Sequence, residues 1–189
     1  GQIVCNDSSN GSGVYVNGGT LNLYSGQISN GTGQKDTGSE STYGGGVYVT
    51  GIGTFNMYGG VITGNSANYG GGVYVSGGTF TMNGGESSVS KNTAKNGGGV
   101  SVSSGTFNMN DGKISGNTGN GVFVHNNATF TVSNTPTVTG NTNTTNSAAS
   151  NVYLAGSAYI TIGGALTDAY TAVFGSEEVT ASPSPAMET

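Results

Sequence analysis

Nine acidic side chains, one histidine, one cysteine and a periodic row of aromatics are the groups through which this 189-residue chain could do chemistry. Glycoside hydrolysis needs two carboxylates flanking one bond, about 5 to 10 Å apart. Asp7, Asp36, Glu40, Glu86, Asp111, Asp168, Glu177, Glu178 and Glu188 show no paired acids on one strand face. A calcium-assisted lyase would want clustered carboxylates for the metal and a strong base, but the basic residues are four lysines and no arginine. His125 follows the short apolar run "VFV", with no serine or acid at a spacing that would build a nucleophilic set. Glu177 and Glu178 read as solvated charge and Cys5 as a small apolar residue. The expectation is therefore no enzyme, no catalytic or metal residues and no cofactor.

The aromatics are regular. Tyr15, Tyr48, Tyr74, Phe123 and Tyr153 occupy one position of a recurring "VYV" element, with Ser101 at the same position between Tyr74 and Phe123. Such a stripe could receive sugar rings or the apolar surface of a partner, or it could stack on itself and stabilise a sheet without any ligand. These five residues are the candidate ligand or partner surface.

The elements that would position the stripe are visible in the repeat. The first valine of the motif is Val14, Val47, Val73, Val100, Val122 and Val152, giving spacings of 33, 26, 27, 22 and 30 residues. A second apolar alternation follows each one: Leu21/Leu23, Phe55/Met57, Phe80/Met82, Phe107/Met109, Phe130/Val132 and Ile160/Ile162. A third, shorter element holds Ile28, Ile62, Val89, Ile114 and Val138. Three brief strands per repeat, with no helical period, cannot bury an inner face alone, but stacked on copies of themselves they can. This predicts an all-β fold, a parallel β-helix with three strands per coil and about six coils. Val, Phe, Met and Ile face inward, while the aromatic stripe and a Thr/Asn array on the second strand face outward. Asn65, Asn92, Asn117 and Asn141 fall at equivalent turns, as a stacked asparagine ladder requires.

The remaining segments set the expected boundaries. Residues 1–174 form the repeat domain and 175–189 a terminal strand or Pro-containing tail. Residues 3–6, "IVCN", match the third strand and Asn turn of a coil, so the chain starts inside a repeat with an open edge suited to end-to-end self-association. The longest loops are expected at about 31–43 and 142–150. A formal charge of −5 with 7% charged residues disfavours nucleic acid and anionic membranes as partners, and no run is apolar enough for direct membrane insertion.

The "GGGVYV…GTFTMN…SGN" pattern resembles bacterial right-handed parallel β-helix proteins of the pectin-lyase-like superfamily. Within it, Gly98-Gly99-Val100, Phe80…Asn83 and Phe107…Asn110 are similar to the polymorphic outer-membrane protein and adhesin-type surface repeats. The position of Asn83 is Tyr58 in the coil before and Ser133 in a later one, which departs from the stricter repeat. The resemblance covers about residues 3–174. It implies a right-handed coil and a non-enzymatic stalk, adhesin or filament unit at the cell surface or outside a bacterium. The implied partner is a host or neighbouring-cell surface protein or glycan. A carbohydrate-binding or carbohydrate-active β-helix is the alternative, and an ice-binding solenoid built on the Thr/Asn array is the lower one.

Overall fold

The computed structural model describes residues 2–4, 12–35, 38 and 40–166. Cys5, Asp7, Asp36, Asp168, Glu177, Glu178, Glu188 and the expected tail at 175–189 lie outside the described residues.

The repeat folds as a parallel β-solenoid, with no helix among the described residues. One wall is a six-stranded parallel sheet of the third elements: Gln2–Val4, Gln27–Ser29, Gly60–Thr63, Ser87–Ser90, Lys113–Ser115 and Thr137–Thr139. Ile3 pairs with Ile28, so residues 2–4 do take the third-strand position expected from "IVCN". The first and second elements build the other, nine-stranded sheet. Three of its members, Val47–Met57, Val73–Met82 and Val100–Met109, run through both elements as single strands rather than the two expected per coil. Gly51 and Gly77, at φ +60° and +88°, turn the chain between the two halves, and the register slips there between Gly77 and Thr79. A β-bulge of this kind bends a strand without ending it.

Like lies over like in the valine column of the first strand and the phenylalanine column of the second. Val47, Val73, Val100, Val122 and Val152 pair in succession, as do Phe55, Phe80, Phe107 and Phe130. The four Phe rings are fully buried and stacked at 4.7, 4.9 and 5.1 Å, tilted by no more than 10°. Each is bordered by a buried methionine or valine, and burying one such side chain contributes roughly 1.5–3 kcal/mol. The inner positions of the end turns, Leu21 and Ile160, are only partly buried. The regular, fully buried solenoid is therefore about four turns, fewer than the expected six, because among the described residues the strands of Leu21 and Ile160 pair on one side only.

Beside the hydrophobic column runs the asparagine ladder. Asn65, Asn92, Asn117 and Asn141 are buried. The Asn92 Oδ1 accepts from the Asn65 backbone N–H and from Asn65 Nδ2, both at 3.0 Å. The Asn92 Nδ2 donates to the Ile62 carbonyl at 3.0 Å and to Asn117 Oδ1 at 3.1 Å. The same set recurs for Asn117 on Asn141. At the last rung Asn151 takes over, accepting from Asn141 N and Nδ2 at 3.1 Å. A primary amide carries its donor and its acceptor on separate atoms, so one side chain can donate to one rung while accepting from the other.

A triple glycine precedes Val47, Val73 and Val100. Gly44 and Gly70 adopt φ of +59° and +63°, and a Cβ on the following Gly45 would sit 2.3 Å from the Gly71 carbonyl oxygen. The first glycine thus supplies a left-handed conformation and the second a backbone approach that a side chain would block.

One element was not expected. Ser66–Tyr69 and Thr93–Asn96, inside what reads as loop, are parallel strands that pair with each other. With Thr42–Tyr43 and Gln34–Lys35 they form a small lateral sheet, in which the last pair is antiparallel. These segments are short and largely polar, without an apolar alternation; the stacking of adjacent coils brings them to strand spacing, where their backbone groups pair.

Replacing Asn92 by Asp should destabilise the protein by about 3–5 kcal/mol at neutral pH, because a carboxylate cannot donate to the Ile62 carbonyl or to Asn117. Burial among acceptors raises this carboxyl's pKa above its unfolded value, so stability is greatest at low pH and is lost as pH rises through the raised pKa. Urea unfolding at about pH 4 and about pH 7 should show the variant recovering in acid relative to the parent chain.

Candidate functional site

The aromatic stripe is in register as the sequence reading requires: Tyr15, Tyr48, Tyr74, Ser101, Phe123 and Tyr153 pair rung by rung. Its exposure is not uniform. Tyr15 and Tyr153 are 53% and 45% exposed, whereas Tyr48 and Tyr74 are 6% exposed. The expectation that all five form an outer surface therefore fails at Tyr48 and Tyr74. They do point away from the inner column, but the lateral sheet covers them. Tyr43 lies 6.2 Å from Tyr48 and 4.9 Å from Tyr74, ring centre to ring centre, and stacks on Tyr69 at 5.4 Å. Together these tyrosines make a second, aromatic core outside the sheet.

Toward the C-terminal half the cover disappears. The lateral column reads Tyr43, Tyr69, Asn96, each paired with the next. The following coil lacks the position altogether. Thr118 bridges to Thr93, and only 22 residues separate Val100 from Val122, so the segment that would carry the next side chain is missing. A notch of about 360 Å³ opens there, lined by Lys95, Asn96, Asn120, Phe123, Asn143, Thr144, Thr145 and Tyr153. Phe123 and Tyr153 stack at 4.8 Å and 15° along one side.

Asn143, Thr144 and Thr145 of the loop at 142–150 also line the notch, and that loop is braced. Asn143 N donates to the Ala148 carbonyl at 2.9 Å. Asn143 Oδ1 accepts from Thr145 N and Asn146 N at 3.1 and 3.0 Å. Asn120 is held from both ends, its Oδ1 accepting from Gly97 N at 3.4 Å and its Nδ2 donating to Ser150 Oγ at 2.6 Å. The notch is thus lined by two stacked aromatics, three asparagines, two threonines and a lysine, with the aromatics fixed by strand pairing and the loop residues by local turns.

His125 adjoins this aromatic side, its ring centre 4.7 Å from that of Phe123. Its Nε2 is buried without a hydrogen-bond partner among the described residues, and burial lowers its pKa below the ordinary imidazole value. Asp111 is instead engaged by the Thr135 hydroxyl. Among the described residues no group of three His, Cys, Asp or Glu side chains is placed to hold a metal ion.

Two further surfaces follow from register. The outward Thr/Asn array stands as expected, Thr20, Thr54, Thr79, Thr106 and Thr129 in one column and Asn22, Asn56, Thr81, Asn108 and Thr131 in the other. At the corner after the second strand, Tyr24 and Tyr58 stack at 5.0 Å and 10°. Asn110 then donates to Asn83 Oδ1, and Ser133 to Asn110 Oδ1, both at 2.8 Å. In the long N-terminal loop Lys35 pairs with Glu40 at 3.2 Å in solvent.

Sequence reading found the aromatic side of the notch and missed its other lining residues. The available signals were the short 22-residue spacing, the Tyr-to-Asn change at position 96 and the loop after Asn141. Comparison with known protein families, curated proteins and solved structures gives no match.

Replacing Tyr74 by Ser should cost about 2–4 kcal/mol, since a ring packed on several others leaves a cavity, whereas Tyr153→Ser at the open end of the stripe should cost less than about 1 kcal/mol. Denaturant midpoints of the two variants check the contrast. The single histidine should titrate, by proton NMR, below its midpoint in the urea-unfolded chain. Because the folded state holds fewer protons there, the contribution of His125 to stability is lost as pH falls.

Proposed function

We propose that this chain is a non-enzymatic structural and adhesive segment of a larger bacterial cell-surface or secreted protein, similar to the polymorphic outer-membrane and adhesin-type repeats of the pectin-lyase-like superfamily. The observation that carries this reading is the continuity of the stack. Phenylalanine rings and asparagine amides pass from rung to rung without a gap. Each coil adds about 4.8 Å of length. A rod of this kind is a spacer whose length is set by the number of repeats and whose sides can vary without disturbing the core.

A host or neighbouring-cell protein or glycan is the partner this role calls for, and its low charge disfavours nucleic acid. End-to-end association of copies belongs to the same reading, because strand edges at the end of a solenoid can pair with another chain. The carbohydrate-binding alternative is favoured by one observation, the notch beside Phe123 and Tyr153.

An antibody raised against the purified solenoid should label intact, unpermeabilised source cells or their culture medium, and external protease should remove the cell-bound signal. Antigen found only after lysis would overturn the surface assignment.

A further inference from the structure

Asparagine stands directly before glycine at Asn10, Asn17, Asn30, Asn83, Asn96 and Asn120, and all but Asn10 lie among the described residues. That dipeptide carries its own chemistry. Asparagine is a labile side chain, and a glycine after it leaves the next main-chain nitrogen unhindered by a Cβ. The nitrogen attacks the side-chain carbonyl carbon when two conditions hold: its N–H is not engaged as a hydrogen-bond donor, and the carboxamide is free to turn onto it.

The fold denies these conditions at Asn30, Asn83, Asn96 and Asn120. Gly31 N donates to Asn65 Oδ1 at 2.9 Å, and Gly121 N to the Ser150 carbonyl at 2.9 Å. Gly97 N donates to Asn120 Oδ1 at 3.4 Å. Asn83 is half-buried and held by its side chain, whose Oδ1 accepts from Asn110 Nδ2 at 2.8 Å. Asn17 and Gly18 differ. Both are exposed, and among the described residues neither the Gly18 N–H nor the Asn17 carboxamide forms a hydrogen bond. The partner of Asn17 on the next rung is Thr50, so no amide ladder holds it. Its Oδ1 lies where a Cβ on Gly51 would come within 2.7 Å, and glycine there gives the carboxamide no side chain to pack on.

We infer that Asn17 is a self-modifying site, at which the folded protein deamidates ahead of its other described Asn-Gly pairs. Hydroxide removes the Gly18 amide proton and the nitrogen bonds to Asn17 Cγ. The Cγ–Nδ2 bond breaks, and ammonia leaves with a proton taken from water, which restores the hydroxide. Water then opens the resulting succinimide ring at either carbonyl. Opening at the side-chain carbonyl gives aspartate; opening at the main-chain carbonyl gives isoaspartate, whose backbone runs through the former side chain. One amide and one water become one carboxylic acid and one ammonia, with no change of oxidation state. The step needs no enzyme and no cofactor, and it is independent of the display role proposed above.

The product acts on the first coil alone. Isoaspartate lengthens the turn between Val14–Asn17 and Thr20–Leu23 by one main-chain carbon, and among the described residues both strands pair only with Val47–Met57. Leu21 and Leu23 are only partly buried. This coil therefore loosens while the phenylalanine and asparagine columns beyond it stay paired.

The test incubates the whole chain, folded and in guanidinium, at neutral and mildly alkaline pH, and maps its peptides by mass spectrometry. In the folded protein Asn17 should convert roughly tenfold faster than Asn30, Asn83, Asn96 or Asn120, the scale set by the hydrogen bond that must first break at each of those. In guanidinium all five should convert at comparable rates. The Asn17 rate should rise in proportion to hydroxide, and labelling by an isoaspartate methyltransferase should fall on the peptide that contains it. Asn17→Gln should remove that label with an unchanged denaturant midpoint. Amide hydrogen exchange in the aged protein should be faster at Thr20–Leu23 and unchanged at Val73–Met82. An intact Asn17, or another described pair converting as fast in the folded protein, overturns the site. Exchange at Thr20–Leu23 equal to that of fresh protein overturns the loosening.

Discussion

Parallel pairing of successive coils at about 4.8 Å is the constraint on which the rest of this molecule depends. At that spacing a side chain has its counterpart on the next rung as its nearest neighbour, and only side chains that are good neighbours for themselves can fill the stack. Phenylalanine satisfies this by face-to-face stacking, as from Phe55 to Phe130. Asparagine satisfies it because one amide both gives and receives, as from Asn65 to Asn141. An ionised side chain cannot, since like charges would face each other inside a dry core. The scarcity of charge in the chain and the monotony of its sequence have the same origin.

The stack also explains how variation is accommodated. A change of spacing from 27 to 22 residues leaves the pairs Val100–Val122 and Phe107–Phe130 in place, because the residues lost come from the turn between Met109 and Ile114 and from the lateral segment between Asn117 and Val122, and not from either wall. Conversely, the excursion at 142–150 is closed by the hydrogen bond from Ser150 N to the Asn141 carbonyl and by the Asn151 amide. Asn151 thereby stands in for the ladder residue that the next coil would have supplied. Insertions and deletions sculpt the side of the rod while the core registers each coil unchanged, which is how a repetitive scaffold acquires one individual site.

The two halves of the aromatic stripe show the difference this makes. Tyr48 and Tyr74 are structural, locked under Tyr43 and Tyr69, while Phe123 and Tyr153 border an open notch. They occupy the same position in the repeat and have the same strand environment. What separates them is a neighbour contributed by the lateral segment, which repeats in the coils of Tyr43 and Tyr69 and is shortened after Asn117.

The sequence by itself determined the fold class, the inward facing of the Val, Phe, Met and Ile columns and the asparagine turns, because alternation along a strand and identity between rungs are local and repeating properties. It also placed the stripe in register. The tertiary structure alone decided which of those aromatics are covered, that Ser66–Tyr69 and Thr93–Asn96 are strands, and that Asn151 closes the ladder. Each of these depends on which polar segment returns beside which coil. That choice is made by packing across the rung boundary, where residues distant in sequence meet, and short polar segments show no apolar alternation that would mark them as strands.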